Sequence, residues 1–195
     1  MRRIARLRPL RWLLRFRKRC GYGIHSPFAF QFVTGVIYEK GAYYAYAPLH
    51  EARQKQRATS REKDDRLLFR IVNFHQPQSM VAIGEGAEFE MACRYMQAAH
   101  QCDFLSTTKW ELPASVDLVY LHAGEWSPHV DQLLALSHNH LLLVVKKPHA
   151  TSETLQAWKQ LCSSPLVRQS FDLYDFGLCF FQSRLNKENF VINYY

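Results

Sequence analysis

A glycine turn, Gly84-Glu85-Gly86, follows the short apolar run Met80–Ile83 and precedes the helical spacing of Phe89, Cys93 and Met96. A strand–turn–helix of this kind stands where open parallel sheets cradle ligands, at the carboxyl ends of their strands. Glu85, Glu88 and Glu90 crowd the start of that helix, where a pyrophosphate would bind, so the turn speaks against a dinucleotide. His122 follows the apolar segment Asp117–Leu121 and reaches the same rim, a position suited to a general base. A polar residue capping a loop is the plainer alternative. Lys146-Lys147 ends the run Leu141–Val145 at that rim and could draw an anionic substrate, or simply solvate a strand terminus. His138 and His140 are two apart with His129 nearby, a poor spacing for a metal site, and they read as surface loop.

Alternating strands and helices must position these residues. Met80–Ile83, Asp117–Leu121 and Leu141–Val145 read as parallel neighbouring strands, and Asp103–Thr107 as a weaker one. Phe89–Ala99, a segment capped by Ser127-Pro128 and running to Leu136, and one capped by Thr151 or Ser152 read as the intervening helices. Val167–Tyr174 and Gly177–Phe181 are joined too closely for a parallel crossover, so they should pair antiparallel at one edge of the sheet. Phe190–Tyr194 adds a terminal strand. Upstream, Ser26-Pro27 caps a helix with Phe28, Phe32 and Val36 on one face, and Glu51–Arg70 reads as helix until Pro77 ends it. The expectation is an α/β fold: a Rossmann-like, mostly parallel sheet flanked by helices, with an antiparallel edge strand and an N-terminal helical extension. Thr108–Val116 is only nine residues and contains Pro113, too short for a crossover helix, so one strand–helix unit should be missing.

The composition narrows the class. The chain has 195 residues, 48% hydrophobic, enough for one domain with a sizeable core. Five cysteines, none spaced Cys-x-x-Cys, exclude a disulfide scaffold or zinc ribbon and suit a reducing, cytoplasmic compartment. The longest apolar run, Leu141–Val145, is far too short to cross a membrane. The net charge of +8 is local: residues 1–20 hold nine of the 25 basic residues and no acid, leaving 16 basic against 17 acidic elsewhere. A balanced body does not present a nucleic-acid docking face. The arm, with Leu10, Trp12, Leu13, Leu14 and Phe16 among its arginines, either packs on the domain or docks on an anionic surface.

Several segments together resemble a bacterial group of class I S-adenosylmethionine-dependent methyltransferases of the O-methyltransferase kind. They are Gly-Tyr-Gly-Ile-His-Ser-Pro-Phe-Ala-Phe at 21–30, Leu-Leu-Phe-Arg at 67–70, the glycine turn, Asp-Leu-Val at 117–119, Gly-Leu-Cys-Phe-Phe at 177–181 and Lys-Glu-Asn-Phe at 187–190. The resemblance implies a basic helical arm over 1–20, a helical extension over 21–77 and a methyltransferase-like domain over 78–195. It implies S-adenosylmethionine held by Gly84, Glu85, Gly86, Ser106 and Thr107, with His122, Lys146 and His149 as catalytic candidates and no metal.

The departures bear on that cofactor. Ala82 stands where the family has an acid before the first glycine, and Glu88 where it has a third glycine. Ser106 and Thr107 replace the acid that holds the ribose hydroxyls, and neutral hydrogen bonds are weaker than charge-assisted ones. Lysines replace the carboxylates of the metal-using relatives. The expectation is therefore a methyltransferase-like protein acting on an oxygen or nitrogen nucleophile of a small molecule, with cofactor site and catalysis weakened or lost. The alternative is a non-catalytic binding module whose basic arm docks on anionic membrane, nucleic acid or a protein partner.

Overall fold

The computed structural model describes residues 23–122 and 124–194. The arm over 1–20 and the first two residues of the 21–30 segment lie outside the described residues.

The apolar runs become the strands of one seven-stranded sheet: β1 (Ser79–Ile83), β2 (Asp103–Thr107), β3 (Leu118–Leu121), β4 (Leu142–Lys146), β5 (Gln169–Asp172), β6 (Phe176–Phe180) and β7 (Glu188–Val191). Their order is β2-β1-β3-β4-β6-β5-β7. β1, β3 and β4 are parallel neighbours, as their burial on both faces requires. The antiparallel pairing of β5 with β6 is present, but not on the edge. β6 pairs antiparallel with both β4 and β5, and β7 adds outside β5 in parallel. The terminal strand thus covers the expected edge. At the other side β2 is outermost, and Thr108–Val116 passes without a helix to β3.

Six α-helices flank the sheet among the described residues: α1 (Pro27–Phe32), α2 (Tyr46–Gln56), α3 (Glu62–His75), α4 (Ala87–Ala99), α5 (Val130–Ala135) and α6 (Ser152–Ser163). Ser26 caps α1, its hydroxyl accepting from the Ala29 N–H at 3.3 Å, with Pro27 in the first turn. α1 runs into a π turn, Val33–Ile37, whose Val36 and Ile37 carbonyls accept from the Arg70 guanidinium. Phe32 is wholly buried, its ring 4.9–5.4 Å from those of Phe171, Phe180 and Phe74. This aromatic face is therefore packing, continuous with the core under α3 and α4. A second core lies under α5 and α6 on the opposite face.

Two helix boundaries differ from the sequence reading. The segment Glu51–Arg70 is broken between α2 and α3, with Arg57 in the left-handed region at φ 50°. The cause is tertiary: the buried Arg53 guanidinium turns back to the Ser60 carbonyl and the Asp65 carboxylate, folding the chain over itself. Ser127-Pro128 lies inside a 3-10 turn, Gly124–His129, and α5 begins only at Val130. Thr151 does cap α6, in a reciprocal capping box with Thr154.

Candidate functional site

The carboxyl ends of β1 to β4 bring most of the sequence-derived candidates to one edge. Gly84 follows β1, Ser106 and Thr107 end β2, His122 follows β3 and Lys146 ends β4. Asp172 ends β5 at the same edge, because β5 runs parallel to β4.

His122 is half-buried, and its Nδ1 lies 2.8 Å from the hydroxyl oxygen of the fully buried Tyr120. Burial pushes the Tyr120 hydroxyl well above its ordinary range, so it keeps its proton. Among the described residues it has no other partner, so a satisfied Tyr120 donates to Nδ1 and the His122 proton sits on Nε2. Burial, helped by the Lys146 charge and opposed by Glu88, lowers the His122 pKa to about 4. His122 therefore offers an N–H donor at neutral pH, with its accepting lone pair already used.

His149 is arranged the other way. Its Nε2 is 2.8 Å from Asp172 Oδ2, while Asp172 Oδ1 accepts from the Tyr174 N–H at 2.8 Å, and the imidazole stacks on Tyr174 with ring centroids 4.8 Å apart. The carboxylate accepts a hydrogen bond from the Nε2–H and leaves the Nδ1 lone pair available, the orientation a general base needs.

Lys146 is not a solvated strand end. It is 5% exposed and, among the described residues, forms no hydrogen bond or ion pair. Burial lowers its pKa, against the pull of Asp65, Asp64 and Glu88. Asp64 and Asp65 belong to ion-pair clusters the sequence reading missed. Arg61 grips Asp64 with two nitrogens at 2.8 and 3.0 Å and reaches Asp175 at 2.6 Å. Asp65, fully buried, bonds Arg53 and Ser60, and its Oδ1 has no partner. Desolvation raises the Asp65 pKa to about 6, with Ser60, Arg53 and Lys146 opposing it. The only sequence signal was three acids in the first turn of α3, which also suits an exposed helix start.

The other sequence-predicted histidines lie apart from this edge. His138 Nε2 contacts the Val116 carbonyl at 2.9 Å, His140 stacks on His75, and His129 stacks on Trp110. Among the described residues no group of three His, Cys, Asp or Glu side chains could hold a metal ion. Nor, among them, is any helix long and apolar enough to cross a membrane.

At the glycine turn the two glycines differ in their surroundings. A Cβ built on Gly84 would lie 2.7 Å from His122 Cβ and 2.8 Å from the Phe89 ring, so the space beside the first glycine is filled by this chain's own side chains. Gly86, at φ 88°, faces open space, and Glu85 is exposed. Glu88 reaches over the start of α4 to accept from the Thr59 hydroxyl at 2.7 Å. At the ribose position, the Thr107 hydroxyl already accepts from the Lys109 N–H at 3.0 Å, and the Ser106 side chain is exposed.

No protein-family model matches the chain, and no curated protein is significantly similar to it. Solved structures do share its fold. A methyltransferase from Geobacter sulfurreducens is 12% identical, with TM-score 0.51, over 81% of this chain and 97% of that one. The methyltransferase PaMTH1 from Podospora anserina, solved with SAH bound, is 9% identical, with TM-score 0.51, over 82% of this chain and 97% of that one. The chain has the methyltransferase fold.

Proposed function

We propose that this chain is an S-adenosylmethionine-dependent methyltransferase-like protein whose cofactor site and catalysis are weakened or lost. The Glu88 carboxylate carries the reading, because it lies at the start of α4, turned to Thr59, where the resembled family has a glycine. The committed Thr107 hydroxyl and the missing outer unit beyond β2 push in the same direction. Were an oxygen or nitrogen nucleophile of a small molecule to enter, His149 oriented by Asp172 is the better placed base, and His122 the better placed donor. The described cysteines are free, which supports a reducing, cytoplasmic setting.

Isothermal titration with S-adenosylmethionine and S-adenosylhomocysteine tests this. Loss of a charge-assisted ribose bond alone weakens binding about tenfold, so no heat is expected at micromolar cofactor. A dissociation constant in the low micromolar range or tighter would restore an active methyltransferase.

A second reading rests on the charge of residues 1–20: a non-catalytic module whose arm docks on an anionic membrane, nucleic acid or protein. Its mark is binding to acidic vesicles or nucleic acid that falls steeply with salt and vanishes without residues 1–20. Equal binding by full-length and shortened chains rejects it.

A further inference from the structure

Among the described residues the outer edge of β2 is open: β1 pairs with its inner side only, and no strand lies beyond it in the sheet. Natural sheets blunt such edges with charged side chains, prolines or bulges. Asp103-Phe104-Leu105-Ser106-Thr107 carries one charge, at its first residue, and no lysine, proline or bulge, and Asp103, Leu105 and Ser106 are exposed, Leu105 at 46%.

The backbone of this edge has a definite pattern. Asp103 donates its N–H to the Gln78 carbonyl, and the Thr107 carbonyl accepts from Gly84, so both direct these groups inward toward β1. Parallel pairing alternates residue by residue. Leu105 therefore also faces inward, and the N–H and C=O of Phe104 and Ser106 point out from the open edge.

We infer that this edge pairs with a second copy of the chain, β2 against β2 in antiparallel register about a two-fold axis at Leu105. In that register Phe104 of each copy meets Ser106 of the other as a hydrogen-bonded pair that exchanges both bonds. The two Leu105 residues face each other as the intervening non-hydrogen-bonded pair, where side chains approach most closely. Each exposed leucine thus covers the other. Asp103 stands opposite Thr107, and the nearest charge beyond it on the facing copy, Lys109 just past the end of β2, is of opposite sign. This charge complementarity, with each exposed Leu105 covered by its twin, fits a second copy as the occupant of an isologous interface. The two seven-stranded sheets become one continuous sheet. The inference does not depend on cofactor binding.

Sedimentation velocity on the full-length chain from about 1 to 100 μM, the range in which a small interface dissociates, tests it. The expected result is a monomer–dimer equilibrium that Leu105→Asp weakens at least tenfold by setting two carboxylates face to face. Circular dichroism establishes that the variant folds. In parallel, Leu105→Cys should form a covalent dimer on mild oxidation, since paired Cα atoms about 4.5 Å apart lie within disulfide reach. Leu166→Cys, at an exposed leucine elsewhere, should not. A parent chain that stays monomeric throughout, a dimer that Leu105→Asp leaves intact, or a Leu105→Cys chain that does not cross-link would overturn the proposal.

Discussion

Replacing Lys187 with Met should cost the fold more than any ordinary exposed lysine does. Its ammonium donates to three backbone carbonyls, Cys162 at 2.6 Å, Ser164 at 2.7 Å and Val167 at 2.6 Å. The first lies in the last turn of α6, where helix carbonyls have no partner within the helix. The other two lie in the link from α6 to β5. Lys187 directly precedes β7, so one side chain ties helix, link and terminal strand together. A hydrogen bond to a charged group contributes about 1.5–3 kcal/mol, and bonds sharing one donor are not additive. The lysine is partly wet and water can replace it at the carbonyls, so the expected loss is about 2–3 kcal/mol for Lys187→Met. In a chain of this size that lowers Tm by roughly 4–12 °C. Lys187→Arg should fall between, because a flat guanidinium cannot converge on three carbonyls as an ammonium does. Calorimetry or thermal circular dichroism reads both variants. A Lys187→Met chain within about 0.5 kcal/mol of the parent, the usual range for surface substitutions, would refute the reasoning.

Acid should also destabilise the chain. Burial lowers the His75 and His122 pKa values to about 4, so below their ordinary 6.5 the unfolded chain takes up protons the folded chain refuses. Stability is then lost as pH falls from about 6.5 to 4, by up to about 3 kcal/mol for the buried His75. Asp65, raised to about 6, opposes this, because protonation below that value favours the folded state. Denaturant titrations at pH 7, 5.5 and 4.5 should show a net fall that His75→Gln makes shallower; a flat profile contradicts the two histidines. Gly177→Ala should destabilise by about 1–3 kcal/mol, because its Cβ would lie 2.6–2.9 Å from three ring atoms of the buried Trp158. Unfolding curves unchanged by this substitution would mean the ring has room to move.

β1, β3, β4 and β6 were legible because their apolar runs are buried on both faces, and period and length then leave little choice. Ser26-Pro27 and Thr151 were legible because capping is local chemistry. What escaped was set by distant partners. The turn after α2 carries neither glycine nor proline, and it exists because Arg53 reaches Ser60 and Asp65 across it. The position of β5 inside the sheet depends on β7, whose four residues have a weak pattern of their own. Lys146 reads in sequence as the polar end of a strand, and only the packing of α3 over that edge makes it a buried cation. Tyr120 looks like one more apolar residue of a strand, yet its hydroxyl decides which nitrogen of His122 carries the proton.

The segments that carried the methyltransferase resemblance prove to be largely structural. Ser26 caps α1, Arg70 holds the end of the π turn, Lys187 holds the end of α6, and Phe28 and Phe180 sit edge-to-face in the core. Each answers a demand of the backbone or core that persists whatever ligand the domain binds. The positions that would hold a cofactor answer to that ligand. Of these, Glu88 is turned to Thr59 and Thr107 to its own turn, contacts within the chain that give both side chains a role whether or not a ligand is present.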